Sequence, residues 1–198
     1  MTTHQPIRIG VLGTHSTGKT TLLKRIEMEL RAEGITVGRT GRLGKRAAAA
    51  GLPKMQHHTA RSTEWIITQG VADEIAAVAQ GAEVVLLDRA AHDALAYFHA
   101  ALEYRGESAA RTERERLLTL ATTQLPKYHM LLATVLDESV TVDSRHDYDP
   151  RYRRLVDHHV HQLLDRDDIP HLRVTSDPDS QAHIVDEAVR SCMTEALV

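Results

Sequence analysis

The chain has 198 residues, of which 42% are hydrophobic, and its formal net charge at pH 7 is −3 with histidine counted as neutral. This length and composition allow one sizeable buried core, so we expect a single domain over residues 1–198. The 24 Lys and Arg residues nearly balance the 27 Asp and Glu residues, and only 4% of the chain is aromatic, which argues against nucleic acid or a membrane surface as a partner.

The first third of the chain is predicted to form a strand, a helix and a second short strand. Residues 7–12 are a mostly apolar, β-favouring run that ends at Gly13, as expected of a buried strand. Residues 19–32 carry leucine and isoleucine at helical spacing, and Gly34 ends this helix. Residues 35–37 are predicted to be the second strand, and an irregular, basic, glycine-containing connection follows them.

The middle third contains the second strong strand pattern, flanked by helices. Residues 59–80 are predicted to form a helix with one broad apolar face. Residues 83–88 are a continuous apolar run that ends in a carboxylate, which is typical of a central parallel strand. Two helices, at residues 91–104 and 107–124, are expected to precede a strand at residues 128–136.

The last third begins with a polar, charged loop at residues 137–149. A helix is predicted from Pro150 to Leu164, then a strand at residues 172–174 and a helix from about residue 179. The alternation of strands and helices predicts an α/β fold with a mostly parallel, five-stranded sheet that is covered by helices on both faces.

Residues 13–20 form the motif Gly-x4-Gly-Lys-Thr between the first strand and the first helix. The two glycines permit a tight path that points backbone N–H groups inward, the lysine reaches the β- and γ-phosphates, and the threonine hydroxyl binds Mg²⁺. The motif therefore predicts a site for ATP or GTP with Mg²⁺. We assign nucleotide contacts to Gly13, His15, Ser16, Thr17, Gly18, Lys19, Thr20 and Thr21.

Asp88 ends the apolar strand of the middle third, and Arg89 follows it. In a phosphate-loop architecture a carboxylate at this place holds Mg²⁺ or accepts a proton from the attacking group, so Asp88 is both a metal candidate and a catalytic candidate. An adjacent arginine can bind phosphoryl oxygens with its planar guanidinium. The alternative is that Asp88 only caps the next helix and that Arg89 lies at the surface.

Asp93 and Tyr97 are four residues apart on the predicted helix that follows, so their side chains point to the same side. They are candidates for binding the acceptor. The alternative interpretation is a solvated aspartate and a half-buried tyrosine on an amphipathic helix.

The phosphate-loop segment of residues 13–22 and the segment Leu87-Asp88-Arg89-Ala90-Ala91-His92-Asp93-Ala94-Leu95-Ala96-Tyr97 together resemble one family. It comprises small AAA-labelled P-loop proteins related to nicotinamide riboside kinase and, more distantly, to deoxynucleoside and thymidylate kinases. The resemblance covers most of the chain and implies a three-layer P-loop NTPase fold, ATP-dependent transfer of the γ-phosphoryl group, and a lid that closes over the nucleotide.

The resemblance also implies an arginine-bearing lid over about residues 137–154. Asp143-Ser144-Arg145 is similar to the family's Asp-Gly-x-Arg segment, and Arg151, Arg153 and Arg154 follow it. Arginines from a closing loop stabilise the negative charge of phosphoryl transfer, so Arg145 and then Arg151 are the preferred catalytic arginines. The alternative is a charged, solvated loop and helix start.

The chain departs from the family pattern after the second strand, where these kinases often have a glutamate followed three residues later by arginine. Here Leu43 is followed by Arg46. If the chemistry is that of a kinase, Asp88 becomes the preferred base. The basic residues of this segment, with Arg46 as the substrate-binding candidate, suggest an acceptor that already carries negative charge. An exposed basic loop is the alternative explanation.

The leading functional hypothesis is an ATP- and Mg²⁺-dependent kinase that phosphorylates a nucleoside, nucleotide or similar metabolite. The competing hypothesis is a regulatory P-loop NTPase that switches partners with its nucleotide and has no small acceptor. With one cysteine, Cys192, the chain is not expected to form an internal disulfide. Its polar start does not predict a signal peptide. We therefore expect a cytoplasmic setting. The acceptor, the choice between ATP and GTP, and the oligomeric state stay open.

Overall fold

The computed structural model describes residues 5–140 and 149–196. Its centre is a sheet in which all neighbouring strands run parallel, in the spatial order β2-β3-β1-β4-β5. The strands are β1 (Ile7–Leu12), β2 (Val37–Thr40), β3 (Val84–Asp88), β4 (Met130–Thr134) and β5 (Leu172–Val174). This order puts the carboxyl ends of β1, β3 and β4 side by side at one edge, where ligands bind in open parallel sheets.

Helices cover both faces of the sheet, because alternate residues of each buried strand point to opposite sides. Ile9 and Val11 of β1 pack with α1 and α7, whereas Leu12 packs with the helices on the other face. The described helices are α1 (Lys19–Ala32), α2 (Leu43–Ala49), α3 (Ala60–Ala79), α4 (Ala91–Arg105), α5 (Arg111–Thr122), α6 (Pro150–Arg166) and α7 (Pro178–Ala196). The predicted three-layer α/β fold is confirmed.

The second strand lies further along the chain than the predicted residues 35–37. The N–H of Ile35 donates to the Leu30 carbonyl at 3.0 Å, so Ile35 still belongs to the end of α1. Gly38 lies inside the observed strand, where a Cβ would lie 2.9 Å from the Cβ of Ala77 on α3. A close approach of helix to strand, rather than a turn, therefore requires this glycine.

The connection after the second strand is a helix, α2, and not the irregular segment that the glycines suggested. Leu43 and Ala47 are buried on its inner side. Burial of this small apolar face against the core outweighs the low helix propensity of Gly44.

The fourth strand is shorter than the predicted residues 128–136. The N–H of Leu136 donates to a carboxylate oxygen of Asp157 on α6 at 2.9 Å, so the chain has left the sheet by this point. The lid expected over about residues 137–154 includes residues 141–148, and Arg145 with that part of the lid lies outside the described residues. Among the described helices, none is both long and apolar enough to cross a membrane.

Candidate functional site

The phosphate loop connects β1 to α1 at the carboxyl edge of the sheet. Its backbone has positive φ at Gly13 (140°), Ser16 (59°) and Gly18 (83°). A Cβ at Gly13 would lie 1.9 Å from Oγ1 of Thr134, so only glycine fits there. Helix α1 starts after Gly18 without a side-chain cap, which leaves its first N–H groups available to an anion.

Thr134, at the end of β4, holds the loop together with Thr17 of the loop itself. Oγ1 of Thr134 donates to the Leu12 carbonyl at 3.1 Å and lies 2.7 Å from Oγ1 of Thr17. The Thr17 hydroxyl donates to the carbonyl of Thr14 at 2.9 Å. These contacts fix the loop in its curved path before any ligand binds, which lowers the ordering cost of binding.

Lys19 is buried at the mouth of the loop, and its ammonium donates to the Thr14 carbonyl. Burial, followed by the nearby guanidinium of Arg89, lowers the pKa of Lys19 to about 7. Among the described residues, Asp93 and Asp88 only partly offset this lowering, and the charge of a bound phosphate would raise the pKa of Lys19 again.

Thr20 and Asp88 meet where the first turn of α1 faces the end of β3. Oγ1 of Thr20 donates to Oδ2 of Asp88 at 2.8 Å. A hydroxyl and a carboxylate are oxygen ligands of the kind that Mg²⁺ prefers, so this pair fits the ion. The N-cap of α4 is Ala90 and not Asp88, which removes the alternative that Asp88 only caps that helix.

Arg89 follows with a φ of 101°, a backbone conformation that is strained for any residue except glycine. Its guanidinium lies 2.5 Å from Oδ2 of Asp93 and 4.5 Å from the centre of the Tyr97 ring. Asp93 is fully buried and Tyr97 is 4% exposed, so neither fits the alternative of a solvated aspartate and a half-buried tyrosine. The structure thus brings three of the predicted site residues into one cluster beside the loop.

Aromatic rings surround this cluster. The ring of Tyr97 lies 6.4 Å from that of His15, 6.4 Å from that of His58 and 6.2 Å from that of Tyr152. His58 is buried, and within the described part of the chain neither of its ring nitrogens has a hydrogen-bond partner. Burial, and then the charges of Arg89 and Arg105, lower the pKa of His58 to about 4, so its imidazole is neutral at pH 7.

Two predicted arginines contact residues other than this cluster. Arg46 pairs with the carboxylate of Asp73 on α3. The guanidinium of Arg151 lies 5.1 Å from the ring centre of Tyr104. Thr21 lies exposed in the first turn of α1, beside Thr20.

Sequence reasoning missed the contribution of three residues. Thr134 braces the loop, His58 adjoins Tyr97, and Arg153 donates from its guanidinium to the carbonyl oxygens of His15 and Ser16. The position of Thr134 at the end of a predicted strand was a usable signal, because carboxyl ends of parallel strands meet at one edge. His58 has no comparable signal in the sequence, and Arg153 was expected among the lid arginines and not against the loop backbone.

Comparisons with known proteins agree with this architecture. A family model described as "AAA domain" matches residues 8–180. The structure of NadR protein in complex with NR superposes with a TM-score of 0.64 at 16% identity, over 94% of this chain and 49% of that one. Deoxyadenosine kinase from M. mycoides with bound dATP superposes with a TM-score of 0.60 at 10% identity, over 93% and 99% of the two chains.

The chain therefore spans about half the length of the NadR chain that it matches. No curated protein sequence matches it. The family match over most of the chain, together with the parallel sheet and the phosphate loop, shows that this protein belongs to the AAA domain family and has the fold of the P-loop nucleoside kinases.

Proposed function

We propose that the protein is an ATP- and Mg²⁺-dependent kinase that transfers the γ-phosphoryl group to a hydroxyl of a nucleoside or a similar small metabolite. The observation that carries the proposal is the 2.8 Å contact between Thr20 and Asp88, at the mouth of a loop that also presents Lys19. Kinases of this architecture need these three groups around the transferred phosphoryl group.

Each group has a defined part in this proposal. The backbone N–H groups of the loop and the start of α1 bind the phosphates, and Lys19 neutralises charge on the β- and γ-phosphates. Thr20 and Asp88 would hold Mg²⁺, which neutralises the charge that develops on the phosphoryl oxygens. In the same proposal, Asp88 is the base that accepts the proton of the acceptor hydroxyl.

The acceptor is proposed to bind beside Arg89 and Tyr97. Arg89 directly follows Asp88 in the chain, and the rings of His58 and Tyr97 give the cluster flat apolar surfaces with polar edges. Such a lining suits a ring system that also forms hydrogen bonds. One structural neighbour is named as a deoxyadenosine kinase, and this name is consistent with a nucleoside as the acceptor.

The contacts of Arg39 and Arg46, two of the four basic residues of this segment, favour an uncharged acceptor over the anionic one that the sequence suggested. Arg39 lies 3.2 Å from a carboxylate oxygen of Glu27 and 4.0 Å from one of Asp88. Arg46 pairs with Asp73. Because these carboxylates already balance both arginines, neither offers an unpaired charge to a phosphate on the acceptor.

The test is an assay of ATP turnover against a panel of nucleosides, nucleoside monophosphates and sugars, with mass spectrometry of the products. We expect one or more nucleosides to be phosphorylated, and the product to disappear in Lys19→Ala and Asp88→Asn. Lys24→Ala is the matched control, since Lys24 is an exposed lysine on the same helix. Slow ATP hydrolysis that no acceptor accelerates would instead support the regulatory NTPase.

A further inference from the structure

We propose that Arg153 is a positioning residue of the phosphate loop, which it holds through backbone carbonyl groups, and not an arginine that contacts the transferred phosphoryl group. The inference rests on the proposed nucleotide site but on no particular acceptor. It assigns a role to α6, the helix that follows the expected lid.

The guanidinium of Arg153 lies against the outer side of the loop. Nε donates to the carbonyl of His15 at 3.2 Å, and Nη2 donates to the carbonyl of Ser16 at 3.1 Å. The residue is 8% exposed. A charged donor that is buried in this way forms stronger hydrogen bonds than a solvated one.

The direction of these bonds explains how Arg153 would act on a phosphate that it does not touch. In a planar trans peptide, C=O and N–H point in opposite directions. Fixing the carbonyl groups of His15 and Ser16 outward therefore fixes the N–H groups of Ser16 and Thr17 inward, where the loop motif binds phosphate. The loop is oriented before the nucleotide arrives.

Helix α6 can serve as a rigid support because its first turn is anchored. Asp149 caps the helix by accepting the N–H of Tyr152 at 3.0 Å, and the fully buried Tyr152 donates its hydroxyl to the Tyr97 carbonyl on α4 at 3.0 Å. Helix α4 in turn supplies Asp93, which accepts the N–H of Gly13 at 2.9 Å. Two helices that pack on each other thus hold the two sides of the loop.

The experiment compares Arg153→Gln and Arg153→Lys with the native protein in the binding of MgADP by calorimetry. ADP lacks the transferred phosphoryl group, so a lid arginine that contacts only that group would leave the affinity for MgADP unchanged. We expect Arg153→Gln to weaken MgADP binding by about tenfold. Arg153→Lys should recover part of the loss, because an ammonium can still donate to the carbonyl groups.

The control is Arg166→Gln, which changes an exposed arginine of the same helix that pairs with Asp167. It should bind MgADP like the native protein. Unchanged MgADP affinity in Arg153→Gln would overturn the proposal and return Arg153 to the lid arginines.

A second measurement needs neither nucleotide nor activity. The amide chemical shifts of Ser16 and Thr17, measured by NMR on the folded protein without ligand, should change in Arg153→Gln, because the carbonyl group of the same peptide unit loses its charged donor. The shifts of the sheet amides should stay unchanged. Native-like shifts at Ser16 and Thr17 in Arg153→Gln would also count against the proposal. If the native protein fails to bind MgADP, the proposed function fails, while this measurement still decides whether Arg153 orients the loop.

Discussion

The buried carboxylate of Asp93 accepts the backbone N–H of Gly13 with one oxygen at 2.9 Å and binds the guanidinium of Arg89 with the other at 2.5 Å. A single side chain therefore joins the first residue of the phosphate loop to the arginine that follows β3. Because the Asp93 carboxylate that joins both bonds is fully buried, a change at either end alters the electrostatic environment of the other.

Replacement of Asp93 by Asn should destabilise the protein by about 1–3 kcal/mol, because it leaves the half-buried guanidinium of Arg89 without its charge partner. The amide oxygen can still accept the N–H of Gly13, so we expect a folded protein with weakened nucleotide binding. Urea unfolding measures the first effect and calorimetry with MgADP the second. Asp186→Asn, at an exposed site on α7, should change neither; a loss of the same size there would refute the assignment.

Nucleotide binding should take up a proton near pH 8. The pKa of Lys19 in the empty loop is lowered to about 7, chiefly by burial, and the phosphates raise it again by favouring the charged form. Affinity for MgADP should therefore fall as the pH rises above 7, by up to about tenfold per unit. Calorimetry at pH 8 in buffers of different ionisation enthalpy measures how many protons are taken up when MgADP binds.

Lys19→Arg is the matched variant for this measurement, since a guanidinium stays charged at every working pH. It should bind MgADP without proton uptake. A heat of binding that does not depend on the buffer in the native protein would contradict the lowered pKa of Lys19.

Replacement of Gly13 by Ala should disrupt the loop. The new Cβ would lie 1.9 Å from Oγ1 of Thr134, at a φ of 140° that alanine rarely adopts. We expect a stability loss of about 2 kcal/mol or more and no measurable binding of MgADP. Gly44→Ala is the control, because this position in α2 has open space around a new Cβ, and there we expect a gain of about 0.5–1 kcal/mol. Equal effects at both glycines would refute the steric argument.

Acid should destabilise the protein through His92, which is 1% exposed. Burial is the main cause that lowers its pKa from 6.5 to about 4, against the opposing charge of Asp167. Below pH 6.5 the His92 side chain is protonated in the unfolded chain but stays neutral in the folded chain. The contribution of His92 to the free energy of unfolding is therefore complete above pH 6.5 and is lost as the pH falls toward 4. At pH 5 the loss amounts to about 2 kcal/mol.

Denaturant unfolding of His92→Met from pH 7.5 to 5 should show a shallower decline of stability than the native protein. His183→Met, at an exposed histidine of α7, should keep the native slope. An unchanged slope in His92→Met would mean that His92 does not take part in the acid transition.

Strand β3 could be predicted because its apolar residues 84–87 are contiguous and end at Asp88. Strand β1 could be predicted because a mostly apolar, β-favouring run ends at Gly13, and β5 because Leu172 and Val174 follow the helix that ends before Pro170.

The prediction placed the second strand too early in the chain. The apolar Ile35 belongs to the end of α1, where its N–H donates to a helix carbonyl. Gly38, a residue type that usually interrupts strands, lies inside the strand and close to Ala77. Local propensity does not register the close approach of a helix from another part of the chain.

The phosphate loop and its flanking strand and helix were determined by the sequence alone, because all their fixed positions fall within residues 7–32 and act through local backbone geometry. The tertiary structure decided what holds that loop. Asp93 lies 80 residues from Gly13, and Arg153 lies 138 residues from His15. Such pairs meet only through the strand order and the packing of α4 on α6, and neither leaves a period or a spacing in the sequence.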